Sequence, residues 1–152
     1  MPEPTHHNRS RPAHGVRLDL DPCPVVFVTV CTKNRTPWLA SHDVHARLRT
    51  IWSAAEAWRV GRYVVMPDHV HLFCSPGPID LPLDNSIRYW KSTYARDPVV
   101  AGQAWQRDHW DTRMRGDAAY AERWEYVFEN PVRTGLVERA EDWPFAGELF
   151  AI

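Results

Sequence analysis

Apolar residues along this 152-residue chain alternate between a period of two and a period near 3.6, and each change predicts an element. Val25-Val26-Phe27-Val28-Thr29-Val30-Cys31 is a β-branched run of strand length. Pro37 and Trp38 interrupt, and Ser41 then suits the cap of a helix with apolar positions at Val44, Leu48, Ile51, Trp52, Ala55 and Trp58. Arg62 to Met66 reads as a second strand, Pro67-Asp68 as a short turn, and His69 to Cys74 as a third strand. The two strands pair most simply as a hairpin, ended by Ser75-Pro76-Gly77-Pro78. Leu83 to Arg96 reads as a helix begun near Asp84 and stopped by Pro98. The pattern from Gln103 to Met114 is weaker, and part of it is expected to form a fourth strand. Asp117 is the expected cap of a last helix, from Ala118 to about Glu129, stopped by Pro131. Asp142-Trp143-Pro144-Phe145 is expected to fold back on the core. The order β-α-β-β-α-β-α predicts an α+β fold, an antiparallel sheet with helices against one face, of the ferredoxin-like (split βαβ) type.

Composition adds boundaries more than chemistry. Residues 25–152 are long enough for one domain with its own core. Residues 1–24, rich in Pro, His, Arg and Asn, read as a flexible leader in which His6, His7 and His14 are solvated. A net charge of −1 argues mildly against a nucleic-acid binder, although a local basic patch needs no global excess. Lys33 and Lys91 are the only lysines, so the cations are nearly all arginine, the residue suited to bidentate phosphate contacts and to stacking. Cys23, Cys31 and Cys74 are odd in number and show no CxxC spacing, which suggests thiols in a reducing compartment. No signal-like or membrane-spanning apolar run is visible, so a cytoplasmic location and no membrane partner are expected.

The candidate chemistry begins at Met66-Pro67-Asp68-His69-Val70-His71-Leu72-Phe73. Alternate residues of a strand share a face, so His69 and His71 would project side by side. Two neighbouring imidazoles are half of a divalent-metal site. The last helix offers what is missing. Tyr120, Trp124, Val127 and Phe128 form its apolar stripe, while Tyr126 and Asn130 lie well off that stripe, four apart and therefore one above the other. A phenol and a carboxamide aimed the same way could meet the two histidines. The result would be a metal on His69, His71 and Asn130 with a nucleophilic hydroxyl beside it.

With these residues placed, a resemblance becomes specific. His69-Val70-His71 resembles the histidine–hydrophobic–histidine motif of the HUH single-strand endonucleases. Trp105-Gln106-Arg107-Asp108-His109-Trp110, the run from Tyr126 through Asn130-Pro131-Val132 to Gly135-Leu136-Val137, and Asp142-Trp143-Pro144-Phe145 resemble segments of the REP-associated tyrosine transposases, a branch of the single-tyrosine transposases. The likeness spans about residues 25 to 147. It implies His69, His71 and Asn130 as ligands of Mg²⁺ or Mn²⁺ and Tyr126 as nucleophile. The implied reaction is cleavage and rejoining of single-stranded DNA near a REP-like hairpin through a 5′-phosphotyrosine. An anionic phosphodiester resists attack unless a cation polarises it, and three neutral N/O ligands leave the ion's charge intact, which suits Mg²⁺ or Mn²⁺. Arg88, Lys91 and Arg96 on the second helix, and Arg107, His109, Trp110 and Arg113 further on, are candidate DNA contacts. A monomer and a homodimer are both compatible with the sequence.

Competing readings are weaker. A histidine-triad nucleotide hydrolase wants a further histidine where Phe73 stands, and an amidohydrolase with HxH needs a much longer barrel. A non-catalytic, domesticated hairpin-binding relative is the alternative the sequence leaves open.

Overall fold

The computed structural model describes residues 24–152; the leader, with His6, His7, His14 and Cys23, lies outside the described residues. Strand β1 (Val26–Thr32) is followed by α1 (His42–Ser53), β2 (Trp58–Val65), β3 (His69–Pro76) and α2 (Leu83–Ala95). Then come β4 (Trp105–Arg113), α3 (Asp117–Phe128), the single-turn α4 (Asn130–Arg133) and β5 (Ala146–Glu148). The strands form one antiparallel sheet in the order β4-β1-β3-β2-β5, so the strand with both histidines is central. The α+β expectation holds, with β5 as an added edge strand.

Strand parity divides the core into two layers. Val26, Val28 and Val30 of β1 and Val70, Leu72 and Cys74 of β3 face α1 and α2, where Leu48, Trp52, Ile87 and Trp90 close the larger core. Phe27 and Phe73 face the other way, with Tyr120, Trp124 and Val127 of α3 packed on them. Helix α3 therefore covers the opposite face, not the same face as α1 and α2. The physical cause is β3 itself, whose Leu72 and Phe73 are both buried and need cover on both sides. On β2 the inward residues change from Trp58 and Val60 to Tyr63 and Val65 across a register shift between Val60 and Tyr63. That bulge resets the parity and leaves Val64 on the α3 side.

Local signals mostly act as expected. Ser41 Oγ accepts from Val44 N at 3.2 Å and starts α1. Asp117 is the first helical residue of α3, and the cap position belongs to Gly116, whose φ of 100° suits glycine. The 142–145 tail folds back as expected: Phe145 is buried, Trp143 Nε1 donates to Val65 O at 3.0 Å, and Val65 N donates to Phe145 O at 2.7 Å. Among the described residues no helix is long and apolar enough to cross a membrane.

Candidate active site and nucleic-acid interface

His69 and His71 project from β3 on the α3 face, their ring centroids 4.6 Å apart and nearly perpendicular. Each ring is tied through Nδ1. The Nδ1–H of His69 donates to Asp68 Oδ1 at 2.7 Å, and His71 Nδ1 lies 2.9 Å from Thr29 Oγ1 on the neighbouring strand. Thr29 and His71 are direct cross-strand partners, so the sheet register sets that contact. Neither Nε2 has a hydrogen-bond partner among the described residues. The Asp68 carboxylate only accepts, so it fixes the His69 tautomer that leaves Nε2 as a lone-pair donor. The Thr29 hydroxyl can accept from His71 Nδ1–H and support the same tautomer, the arrangement a metal ligand requires.

Arginines crowd this pair. Arg35 Nε donates to Asp68 Oδ2 at 3.0 Å from a turn in which Asn34 and Arg35 both take left-handed backbone angles (φ 57° and 55°). Such angles cost non-glycine residues on the order of 1–3 kcal/mol each, so this turn is held by its surroundings. The guanidinium of Arg123, on α3, sits 5.0 Å from the Phe27 ring centroid, and Phe27 stacks on His71. Burial, then the neighbouring His69, Arg123, Arg133 and Arg35 charges, hold His71 well below the usual imidazole range. Burial also lowers His69, against the opposing pull of Asp68. For Asp68, burial would raise the carboxyl, but bonds from His69 and Arg35 more than offset it and the net direction is down. The site thus holds two neutral imidazoles in a positive field, suited to a divalent cation and a phosphodiester together.

These shifts predict a pH dependence. His45, His69 and His71 all bind protons more weakly folded than unfolded. Their contribution to stability is complete above the unfolded value, about 6.5, and is lost as pH falls through it. Without added metal, the urea midpoint is expected to drop between about pH 7 and pH 5, and His71→Gln to flatten that slope; equal slopes would refute the assignment.

Tyr126 and Asn130 lie near the end of the helix that packs on this face. Helix α3 stops after Phe128, Glu129 joins it to α4, and Asn130 opens that last turn. Tyr126 is 48% exposed, so its phenol is accessible. Arg133 links the two: its guanidinium carbon lies 3.6 Å from the Tyr126 ring centroid, and its Nη2 donates to Tyr126 O and, at 3.1 Å, to Asn130 Oδ1. Because Arg133 also acts on the charge of His71, this end of the helix and the histidine pair share one electrostatic neighbourhood.

The expected DNA contacts divide. Trp110 pairs with Thr29 across β1 and β4, on the histidine face and half-buried, where a base could stack. Arg88 and Arg96 are exposed on α2, across the sheet from the histidines. Arg107 is exposed, while Arg113 pairs with Val26 on the α1/α2 face. Two residues turn inward instead of to DNA. Lys91 is buried, its ammonium donating to Gln106 O and Arg107 O at 2.9 Å each. His109 is buried on the face away from His71, its Nε2 3.1 Å from both Asp84 Oδ1 and Asp111 Oδ2. Alternation along β4 dictates this, since Val30, its cross-strand partner, also faces α1 and α2.

Asp84, His109 and Asp111 bring ligand atoms within 4.8 Å of one another, so two groups of side chains could hold a cation, on opposite faces. The tie between α2 and β4 has its own consequence. Replacing His109 by Ala leaves two carboxylates in a largely buried cluster without their imidazole, and is expected to cost about 3 kcal/mol in urea unfolding. A loss below about 1 kcal/mol would show that the cluster does not hold the layers together.

Sequence reasoning missed Thr29, Asp68, Arg35, Arg123 and Arg133. Arg133 was within reach, since it stands three after Asn130 and seven after Tyr126 and so shares their helical face. Thr29 was not, because only the β1–β3 register brings it to His71.

No protein-family model matches the chain. A Haemophilus influenzae protein described as a REP-associated tyrosine transposase is 30% identical over 95 residues, which cover 54% of this chain and 54% of that relative, so the match spans about half the relative's length. The REP-associated tyrosine transposase of Escherichia coli K12 is 25% identical over 124 residues, covering 79% of this chain and 73% of its own. A solved structure of a REP-associated tyrosine transposase bound to a REP hairpin superposes with a TM-score of 0.69 at 25% identity, covering 81% of this chain and 75% of that one. In sequence and in fold the chain is similar to REP-associated tyrosine transposases.

Proposed function

We propose that this chain cleaves and rejoins single-stranded DNA beside a hairpin, with Tyr126 as nucleophile and His69, His71 and Asn130 as ligands of Mg²⁺ or Mn²⁺. The observation that carries the reading is the pair of neutral imidazoles on the central strand, each hydrogen-bonded at Nδ1 and ringed by arginines, on the sheet face that the Tyr126-bearing helix covers. A divalent ion bound there would polarise the non-bridging oxygens of a phosphodiester. The chain's residues do the rest. Arg35 and Asp68 orient His69, Thr29 orients His71, and the local arginine excess concentrates the DNA backbone at the site. Trp110 offers a stacking surface for an unpaired base.

In the step itself the Tyr126 oxygen bonds to phosphorus while the P–O3′ bond breaks. The phenol proton ends on the departing 3′ oxygen, and the 5′ phosphate stays on the protein. Attack by a 3′ hydroxyl on the phosphotyrosine reverses the sequence, so the phosphoester bond is conserved and no nucleoside triphosphate is consumed. The partner class follows the relative whose structure was solved with a REP hairpin. We place the protein in the cytoplasm, as a monomer or homodimer.

The test is incubation with end-labelled single-stranded hairpin oligonucleotides and Mn²⁺, followed by a denaturing gel. A protein-linked, 5′-attached product is the expected result. Tight hairpin binding with no covalent product in either Mg²⁺ or Mn²⁺ would sink this reading and leave the non-catalytic hairpin binder in its place.

A further inference from the structure

The guanidinium of Arg133 stands on the groups the proposed chemistry needs. It stacks 3.6 Å from the centroid of the Tyr126 ring and donates to the carboxamide oxygen of Asn130 at 3.1 Å. That oxygen is the atom expected to complete the cation site with His69 and His71. A guanidinium and a divalent ion on one carboxamide oxygen would place like charges a few ångströms apart, where they repel. The two therefore compete for Asn130. What would draw Arg133 away is also defined by chemistry. Its side chain is exposed and planar, and a phosphodiester accepts two parallel N–H bonds from it, a stronger pairing than one neutral amide oxygen.

We propose that Arg133 is a gate: in the DNA-free protein it caps Tyr126 and holds Asn130, and an arriving phosphodiester takes the guanidinium and releases both. This rests on the reading of the site given above and adds its regulation. Two consequences follow. Cation affinity is weak until DNA is present, and by linkage the cation tightens DNA to the same degree. The ring that carries the nucleophile, though not its exposed oxygen, is also held in place until a substrate phosphate is at hand.

The experiment measures Mn²⁺ affinity by electron paramagnetic resonance, with and without a hairpin oligonucleotide, in full-length Tyr126→Phe protein. Phe keeps the aromatic face under Arg133 and prevents turnover. The hairpin is expected to tighten Mn²⁺ roughly tenfold. In the Tyr126→Phe/Arg133→Gln double variant, DNA-free protein is expected to bind Mn²⁺ tighter by about the same factor, and the hairpin to add less than about twofold. Arg133→Lys, which keeps the charge and loses the planar fork, is expected to fall between. A purely structural role for Arg133 would not raise cation affinity. The gate is overturned if Arg133→Gln leaves the DNA-free affinity unchanged, or if the hairpin tightens both proteins equally. If His71→Ala does not weaken Mn²⁺ binding, the cation site itself has been misplaced and the gate falls with it, so the two failures are distinguishable.

Discussion

Tyr126→Phe is expected to abolish the covalent protein–DNA product and leave the fold and hairpin binding nearly intact. The substitution removes one oxygen from a side chain that is 48% exposed, and none of the hydrogen bonds described around Tyr126 uses its phenol. What Arg133 touches is the ring and the backbone carbonyl, and Phe supplies both. Stability should therefore change by no more than about 0.5 kcal/mol, the usual range for a surface substitution. The chemical step should fall by on the order of 10⁴-fold or more, as when a nucleophile is deleted from an otherwise intact site. Gel detection of adducts, with thermal melting as the control for folding, decides it. A phosphotyrosine-type adduct that persists in the variant moves the nucleophile elsewhere, with Tyr120 disfavoured because it is packed on Phe73.

The larger outlines were legible because they depend on periodicity. The His-Val-His alternation on β3 and the α1 stripe from Val44 to Trp52 are local patterns, and the chain folds as they suggest. The stripe's last two positions do not follow, since α1 ends at Ser53 and Trp58 opens β2, and Asn130 falls in α4 after α3 ends at Phe128. The layer that covers the histidines was harder to read. Leu72 and Phe73 adjoin in β3 and both are buried, which is the mark of a strand covered on two faces; reading a single covered face put α3 on the wrong side. His109 illustrates a different limit. As a residue beside Trp110 in a segment rich in arginine it suggested DNA, but its fate is settled by pairing with Val30 and by Asp84 arriving from α2. Both facts are tertiary. The same holds for Lys91, whose ammonium is consumed by two β4 carbonyls. The net charge of −1 obscured the arginines around His71, because they come from three separate places in the chain and meet only in the fold.

His71→Ala carries the second large effect and separates the two possible cation sites. His71 is one of two imidazoles whose Nε2 is left available, so its loss removes a ligand outright. Even second-sphere partners of metal ligands are worth 10–100-fold in affinity, so a drop above about 100-fold in Mn²⁺ binding is expected. Thr29→Val should be milder, roughly 10-fold, since it withdraws only the bond that orients the ring. Asp111→Asn tests the other face: it alters the Asp84–His109–Asp111 group and should leave the affinity governed by His71 where it was. Calorimetric titration of the three variants beside the unaltered protein reads all of this without any DNA chemistry. If Asp111→Asn removes the Mn²⁺ signal and His71→Ala does not, the cation belongs to the α2–β4 cluster. The paired imidazoles would then need another account, in which the surrounding arginines, not a metal, supply the charge that a phosphodiester requires.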